Sequence, residues 1–404
     1  MNTGDTAFML IATAMVMLMT PGLALFYGGM VRSKNVLATI MQSFLCLGIV
    51  SILWVIYGYS MAFGPDVNGI IGSLQWAGLQ GVGTTPGPYS ATIPHLLFCA
   101  FQLMFAVITP ALITGAFAER MKFTAFLVFT ILWTTLVYFP VCHWVWGGGW
   151  MAAHGGMDFA GGTVIHINSG AAALVAALML GKRQGWGREP FHPHNLGMTL
   201  LGAGILWFGW FGFNAGSALS AGEIATVAFF TTQIASAAAA VSWIVMEWIT
   251  QGRPTTLGAA SGAIAGLVAI TPASGFVSPM SGLIIGLVAG ALCYFAVLQK
   301  SKLGYDDALD VVGVHGVGGL WGALATGIFA STAINPAGKN GLLAGNPAQV
   351  GIQAMDAFTV IIYSLIATYI ILKGMDMVMG LRVNKEDEQQ GLDLSQHSET
   401  GYSI

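Results

Sequence analysis

Apolar runs of about 20 residues recur along the chain, separated by short polar stretches. They predict helices over approximately 7–31, 36–62, 94–118, 123–142, 163–181, 196–218, 225–249, 256–273, 279–299, 311–331 and 350–375. A bilayer core of about 30 Å needs about 20 mostly apolar residues per crossing. The pattern therefore predicts an all-α polytopic membrane protein with eleven transmembrane helices. After Met379 the chain turns polar, which divides it into a membrane domain over 1–379 and a tail over 380–404.

Composition strengthens the membrane reading. Of 404 residues 55% are hydrophobic and 8% charged, whereas soluble domains carry roughly a quarter charged residues. Too few charges exist to coat a soluble domain. The net charge of −3 leaves no footprint for nucleic acid and no polybasic lipid anchor. The first residues carry Asp5 and no Lys or Arg, unlike the basic leader of a signal peptide, so the first run is read as a retained span.

Arg32, Lys34, Arg120, Lys122, Lys182, Arg183, Arg188, Arg253, Lys300, Lys302, Lys373, Arg382 and Lys385 all fall on one side of the predicted spans, and only Lys339 on the other. Retained cytoplasmic loops are rich in Lys and Arg, so the N-terminus is expected outside and the tail in the cytoplasm. Cys46, Cys99, Cys142 and Cys293 stand singly in apolar runs and suggest packing rather than a zinc site or disulfide framework.

Two halves, about 7–181 and 196–331, would run oppositely if they were five-helix repeats, with the run over 350–375 added last. Inverted repeats place a substrate path near the midplane. Span five holds His166 with Gly170 four later, and span ten holds His315 with Gly319 four later, after Asp158 and Asp310 respectively. Ionisable groups inside a membrane are costly and usually face a cavity or a partner. A buried histidine can simply satisfy a carbonyl, but two at similar depth suit one pathway, along which neutral imidazoles can pass a proton. His192 and His194 have metal-ligand spacing, yet sit in a polar loop and are read as solvated.

Phe101 and Phe105 share a face of span three; Trp210, Phe211, Phe213 and Ser217 lie in span six; Trp144 and Trp146 precede the glycines of 147–149. Most membrane aromatics pack or form interfacial belts. Together they also offer a cage for a small cation, which ring faces attract by roughly 0.5–2 kcal/mol each, with Ser217 as an acceptor.

Several ordered stretches carry a resemblance. They are Pro21-Gly-Leu-Ala-Leu-Phe-Tyr-Gly-Gly29, Gly115-Ala-Phe-Ala-Glu-Arg120, His143-Trp-Val-Trp-Gly-Gly-Gly149, Asp158-Phe-Ala-Gly-Gly-Thr-Val-Ile-His-Ile-Asn168, Trp210-Phe-Gly-Phe-Asn-Ala-Gly-Ser217 and Asp310-Val-Val-Gly-Val-His-Gly316. The chain resembles the ammonium transporter family from span one to the tail. The resemblance implies a pore in each subunit of a homotrimer in the cell inner membrane. It implies an outer ammonium site of Trp146, Phe105 and Ser217 supported by Asp158, a gate of Phe105 and Phe213, and a proton relay of His166 and His315 below. Phe101 and Trp210 are expected in the pore vestibule. No cofactor is implied. The tail resembles the family's cytoplasmic tail, which binds the other subunits' cytoplasmic face and answers to PII-type signal proteins.

One departure stands out: Leu103-Met104 occupies a place where the family often has Gly-Ser, which is expected to reshape the outer approach. Whether methylammonium is also carried is left open. The alternatives are an electroneutral NH₃ channel, an ammonium sensor with little flux and, from another class, an ion-coupled transporter. No nucleophile–base or metal-ligand set favours an enzyme.

Overall fold

The structure, a computed structural model, describes residues 1–402. Ten of its helices are long and apolar enough to cross a membrane, and one further apolar helix is shorter. In chain order they are α1 (Thr3–Met30), α2 (Ser33–Phe63), α3 (His95–Phe117), α4 (Phe123–Ala153), α5 (Gly162–Leu180), α6 (Leu196–Gly216), α7 (Glu223–Gln251), α8 (Thr256–Ile270), α9 (Pro279–Leu303), α10 (Val312–Phe329) and α11 (Ala348–Met379). The 15 residues of α8 reach about 23 Å at 1.5 Å per residue, short of a bilayer core. The apolar pattern predicts this helix to 273, but Pro272 has no N–H to continue it, and buried turns carry the chain on to Phe276.

Two small antiparallel hairpins lie between α2 and α3: β1 (Asp66–Val67) with β2 (Ile71–Gly72), and β3 (Pro86–Gly87) with β4 (Ser90–Pro94). Strands this short carry no hydrophobic period, so the apolar pattern predicts none of them.

The bundle is turned inside out. Ile11, Phe44, Ile52, Phe208, Ile249 and Ile370 are exposed, while Gln42, Asn168, Asn214, Ser364 and Thr368 are buried. Lipid tails accept the former at no cost, and Asn214, Ser364 and Thr368 find partners on other helices. α1 runs along α6, α7 lies against both α8 and α9, and α5 crosses α10 and packs on α11.

At α11 the chain turns through Gly380 (φ 68°) into a folded tail of α12 (Lys385–Gln390) and α13 (Leu392–His397). Composition alone suggests a solvated end, yet Glu388 and Asp393 are each 2% exposed. Asp393 accepts from the backbone N–H groups of Leu37 and Ala38 at the start of α2. Glu388 meets Arg382 at 2.7 Å and accepts from Gln184 N at 2.7 Å. These contacts tie the tail to α2 and to the loop after α5. Residues 403–404 of the expected tail lie outside the described residues.

Candidate functional site

The site begins with Asp158, just before α5. Its carboxylate accepts from the N–H groups of Gly161, Gly162, Thr163 and Val164 at 2.7–3.1 Å. These are the N–H groups that a helix start leaves without partners. Gly161 supplies the left-handed turn (φ 118°) that lets the chain fold back onto this carboxylate.

Both histidines then sit in wide π-helical turns, Gly162–Ile167 and Val312–Val317. Such turns are frequent at functional positions in helices. His166 Nδ1 lies 3.1 Å from His315 Nδ1, and the rings are 1% and 3% exposed. One Nδ1 must donate and the other accept. His166 Nε2 has no hydrogen-bonding partner among the described residues.

The glycine four residues after each histidine explains the approach. A Cβ on Gly319 would come 2.9 Å from the His166 Cβ, and one on Gly170 would strike the Gly316 backbone. Each histidine-bearing helix thus leaves a gap for its partner where α5 crosses α10.

Aromatic rings roof this pair. Phe213 stacks near His166 (6.2 Å, 20°) and meets Phe105 at 4.4 Å. Phe105 in turn stands edge-on to Trp146 at 5.8 Å. Trp146 donates its indole N–H to the Asp158 carbonyl at 2.8 Å, and Ser217 Oγ donates to the Phe213 carbonyl at 2.9 Å.

Three spaces are strung along this column. The outer space of the column, farthest from the histidines, is a cleft of about 140 Å³ lined by Phe63, Tyr89, Phe98, Gln102, Trp146, Phe159, Ser217 and Leu219. Below Phe213 is a narrow cavity of about 10 Å³ among His166, His315, Trp210 and apolar side chains such as Leu23, Ile108 and Leu206. A third, also of about 10 Å³, continues past His315 to Tyr27 and Asp310, and shares Phe26 and Ile264 with the second. Spaces of that size hold about one small molecule.

The sequence profile of the Ammonium Transporter Family matches residues 7–402. An ammonium transporter of Bacillus subtilis is 55% identical over 403 residues, covering 100% of this chain and 99% of its own. The chain belongs to the ammonium transporter family. Its family fold is visible in a crystal structure of Saccharomyces cerevisiae Mep2, with a TM-score of 0.90, 36% identity, and coverage of 96% of this chain and 90% of that one. A structure described as a sensor Amt protein superposes with a TM-score of 0.90 at 30% identity, covering 98% of each chain.

Within this family member, Trp146, Phe105, Ser217, Asp158, Phe213, His166 and His315 come together in one column. Other expected positions differ. Phe101 is fully buried, 4.8 Å from Phe105, and does not line the outer cleft. Trp210 lines the histidine cavity rather than the outer space, 5.5 Å from His166, with its N–H donated to Thr271.

Phe211 faces away from the cage and stacks on Phe229 at 4.2 Å. Trp144 turns to Tyr363 and donates to the Ile70 carbonyl. Two positions apart on a helix, Trp144 and Trp146 cannot share a face. Leu103 and Met104 are half-buried against the core and do not line the cleft; Gln102 does. His194 hydrogen-bonds the Val31 carbonyl and Tyr402.

Six cleft residues escaped the sequence reading: Phe63, Tyr89, Phe98, Gln102, Phe159 and Leu219. The rings there look like any belt aromatic. Gln102 did carry a signal, a polar side chain inside an apolar run, and its Oε1 has no hydrogen-bonding partner among the described residues.

Proposed function

We propose that the protein moves ammonium across the cell inner membrane, recruiting NH₄⁺ in the outer cleft and passing NH₃ and a proton separately. The observation that carries this is the Nδ1–Nδ1 contact of 3.1 Å in a cavity otherwise lined by apolar side chains, directly beneath stacked rings. K⁺ is nearly the size of NH₄⁺ but cannot lose a proton, so an apolar passage excludes it by its desolvation cost.

In this reading the Trp146 and Phe105 rings attract the cation, Ser217 and Gln102 accept its hydrogen bonds, and Asp158 supports the segment beneath. Phe105 and Phe213 separate the cleft from the cavity. His166 and His315 relay the proton, so transport is electrogenic. Ten helices of spanning length with the shorter α8 suit eleven crossings, and the one-sided Lys and Arg favour the N-terminus out and the tail in. The packing of α1 on α6 and of α5 on α10 suits two inverted halves. A homotrimer, and a PII-type protein acting on the cytoplasmic face and tail, complete the proposal.

The test is current from purified protein in liposomes on a solid-supported membrane. Ammonium pulses should give a saturable current that K⁺ and Na⁺ do not. A protein carrying both H166A and H315A should lose it, and retention would sink the relay. Internal alkalinisation without current would mean an NH₃ channel, and neither signal would favour sensing.

A further inference from the structure

Outside the column, one buried carboxylate is tied to the same machinery by an arrangement the mechanism does not use. Asp356 lies on α11, 6% exposed, and its Oδ1 is 3.0 Å from His154 Nε2. The contact is an ion-pair approach rather than an aligned hydrogen bond, and neither atom has a hydrogen-bonding partner among the described residues. His154 Nδ1 lies 2.9 Å from the Trp150 carbonyl, which can only accept, so Nδ1 carries a proton. Nε2 and Oδ1 can then stay in contact only by sharing one further proton. Remove it and two lone pairs face each other, with an uncompensated negative charge on a buried carboxylate beside a partly exposed imidazole.

What the pair would move is the segment leading to Asp158. Gly156 lies against the Asp356 carboxylate so closely that a Cβ there would collide with it. One turn earlier on α11, Gln353 accepts from Met157 N at 2.8 Å and donates to the Met157 carbonyl at 2.6 Å. Gln349, a further turn back, donates to the Gly155 carbonyl at 2.9 Å. Residues 349, 353 and 356 share one helix face, so α11 grips residues 154–157 along its length. Asp158 follows directly, and its carbonyl holds the Trp146 indole.

Few other titratable groups bear on the pair. Elements packed against α11 bring Tyr138 from α4, His166 from α5 and His315 from α10, and the adjoining loops bring Asp158 and Lys339. Of these, Asp158 is the acidic neighbour, and its carboxylate would repel that of Asp356.

We propose that His154 and Asp356 form a one-proton brace between α11 and the 154–158 segment, which ties ammonium affinity in the outer cleft to the pH bathing it. This rests on reading the cleft as the recruiting site. Loss of the shared proton loosens the segment, so affinity falls as the pH rises. An Asn at 356 keeps the shape and donates to a neutral imidazole, making the brace independent of the proton.

The half-saturating ammonium concentration for current is therefore measured between about pH 5.5 and 8 for wild type, D356N and H154Q. Wild type should rise about threefold across that range, while D356N and H154Q stay level. Wild-type pH dependence retained in both variants, or a variant offset by one factor at every pH, would overturn the brace. Should wild type carry no current at all, the transport reading fails on its own. Hydrogen exchange of amides 154–158, normalised to unfolded rates, then decides: protection must fall with pH in wild type and not in D356N.

Discussion

Trp146 is held from two sides, by its N–H on the Asp158 carbonyl at 2.8 Å and by Phe105 at 5.8 Å. A cation against such a ring gains roughly 0.5–2 kcal/mol. W146L should therefore raise the half-saturating ammonium concentration about 2- to 30-fold, read from the concentration dependence of the current. W146F keeps a ring but drops the indole hydrogen bond. An affinity midway between those of wild type and W146L would separate the cation's attraction from the anchoring of Asp158. The sequence named this tryptophan as a candidate together with Trp144, and only their helical offset sends one to the cleft and the other to Tyr363.

Elements decide how close the histidines come. The spacing of four between each histidine and its glycine was visible in the chain, but its meaning was not, because it concerns a second helix. Gly170 meets the Gly316 backbone and Gly319 meets His166, so one small residue on each helix sets the α5–α10 crossing. G170A overpacks that crossing and should cost about 1–3 kcal/mol, read as a lower thermal midpoint of the purified protein. It should also cut the ammonium current, since separating the helices stretches the 3.1 Å histidine contact.

For the whole molecule, the end that carries the tail is tied by charge. Arg32 and Arg183 both reach Glu119, at 2.7 and 3.2 Å, and Arg183 also meets Asp306 at 2.8 Å. Both guanidiniums lie over the Phe191 ring, 4.7 and 4.4 Å from its centre. Burial pushes the Glu119 and Asp306 carboxyls up, but these arginines outweigh it and hold both below the usual range.

A depressed folded pKa means the stabilisation is complete above the unfolded values, about 4, and is lost as pH falls through the folded ones. Thermal midpoints should therefore drop in acid, and E119Q should lie below wild type at neutral pH and converge on it in acid. Asp307 has the opposite sign, because burial pushes its carboxyl up to about 6. Its contribution fades as pH rises towards that value, and D307N should remove the fade. The ion pairs were illegible beforehand, since their members are 64–123 positions apart in the chain.

Eleven apolar runs, the one-sided distribution of Lys and Arg and the two intramembrane histidines are properties of the chain alone, because a bilayer selects residues locally, one helix at a time. Which rings face the cleft depends on helix rotation, which neighbouring helices set. The folding of an acidic tail onto α2 and the grip of α11 on residues 154–157 likewise depend on partners distant in sequence. Hydropathy cannot see these contacts, because each joins one polar atom to one distant partner, and only the assembled bundle brings the two together.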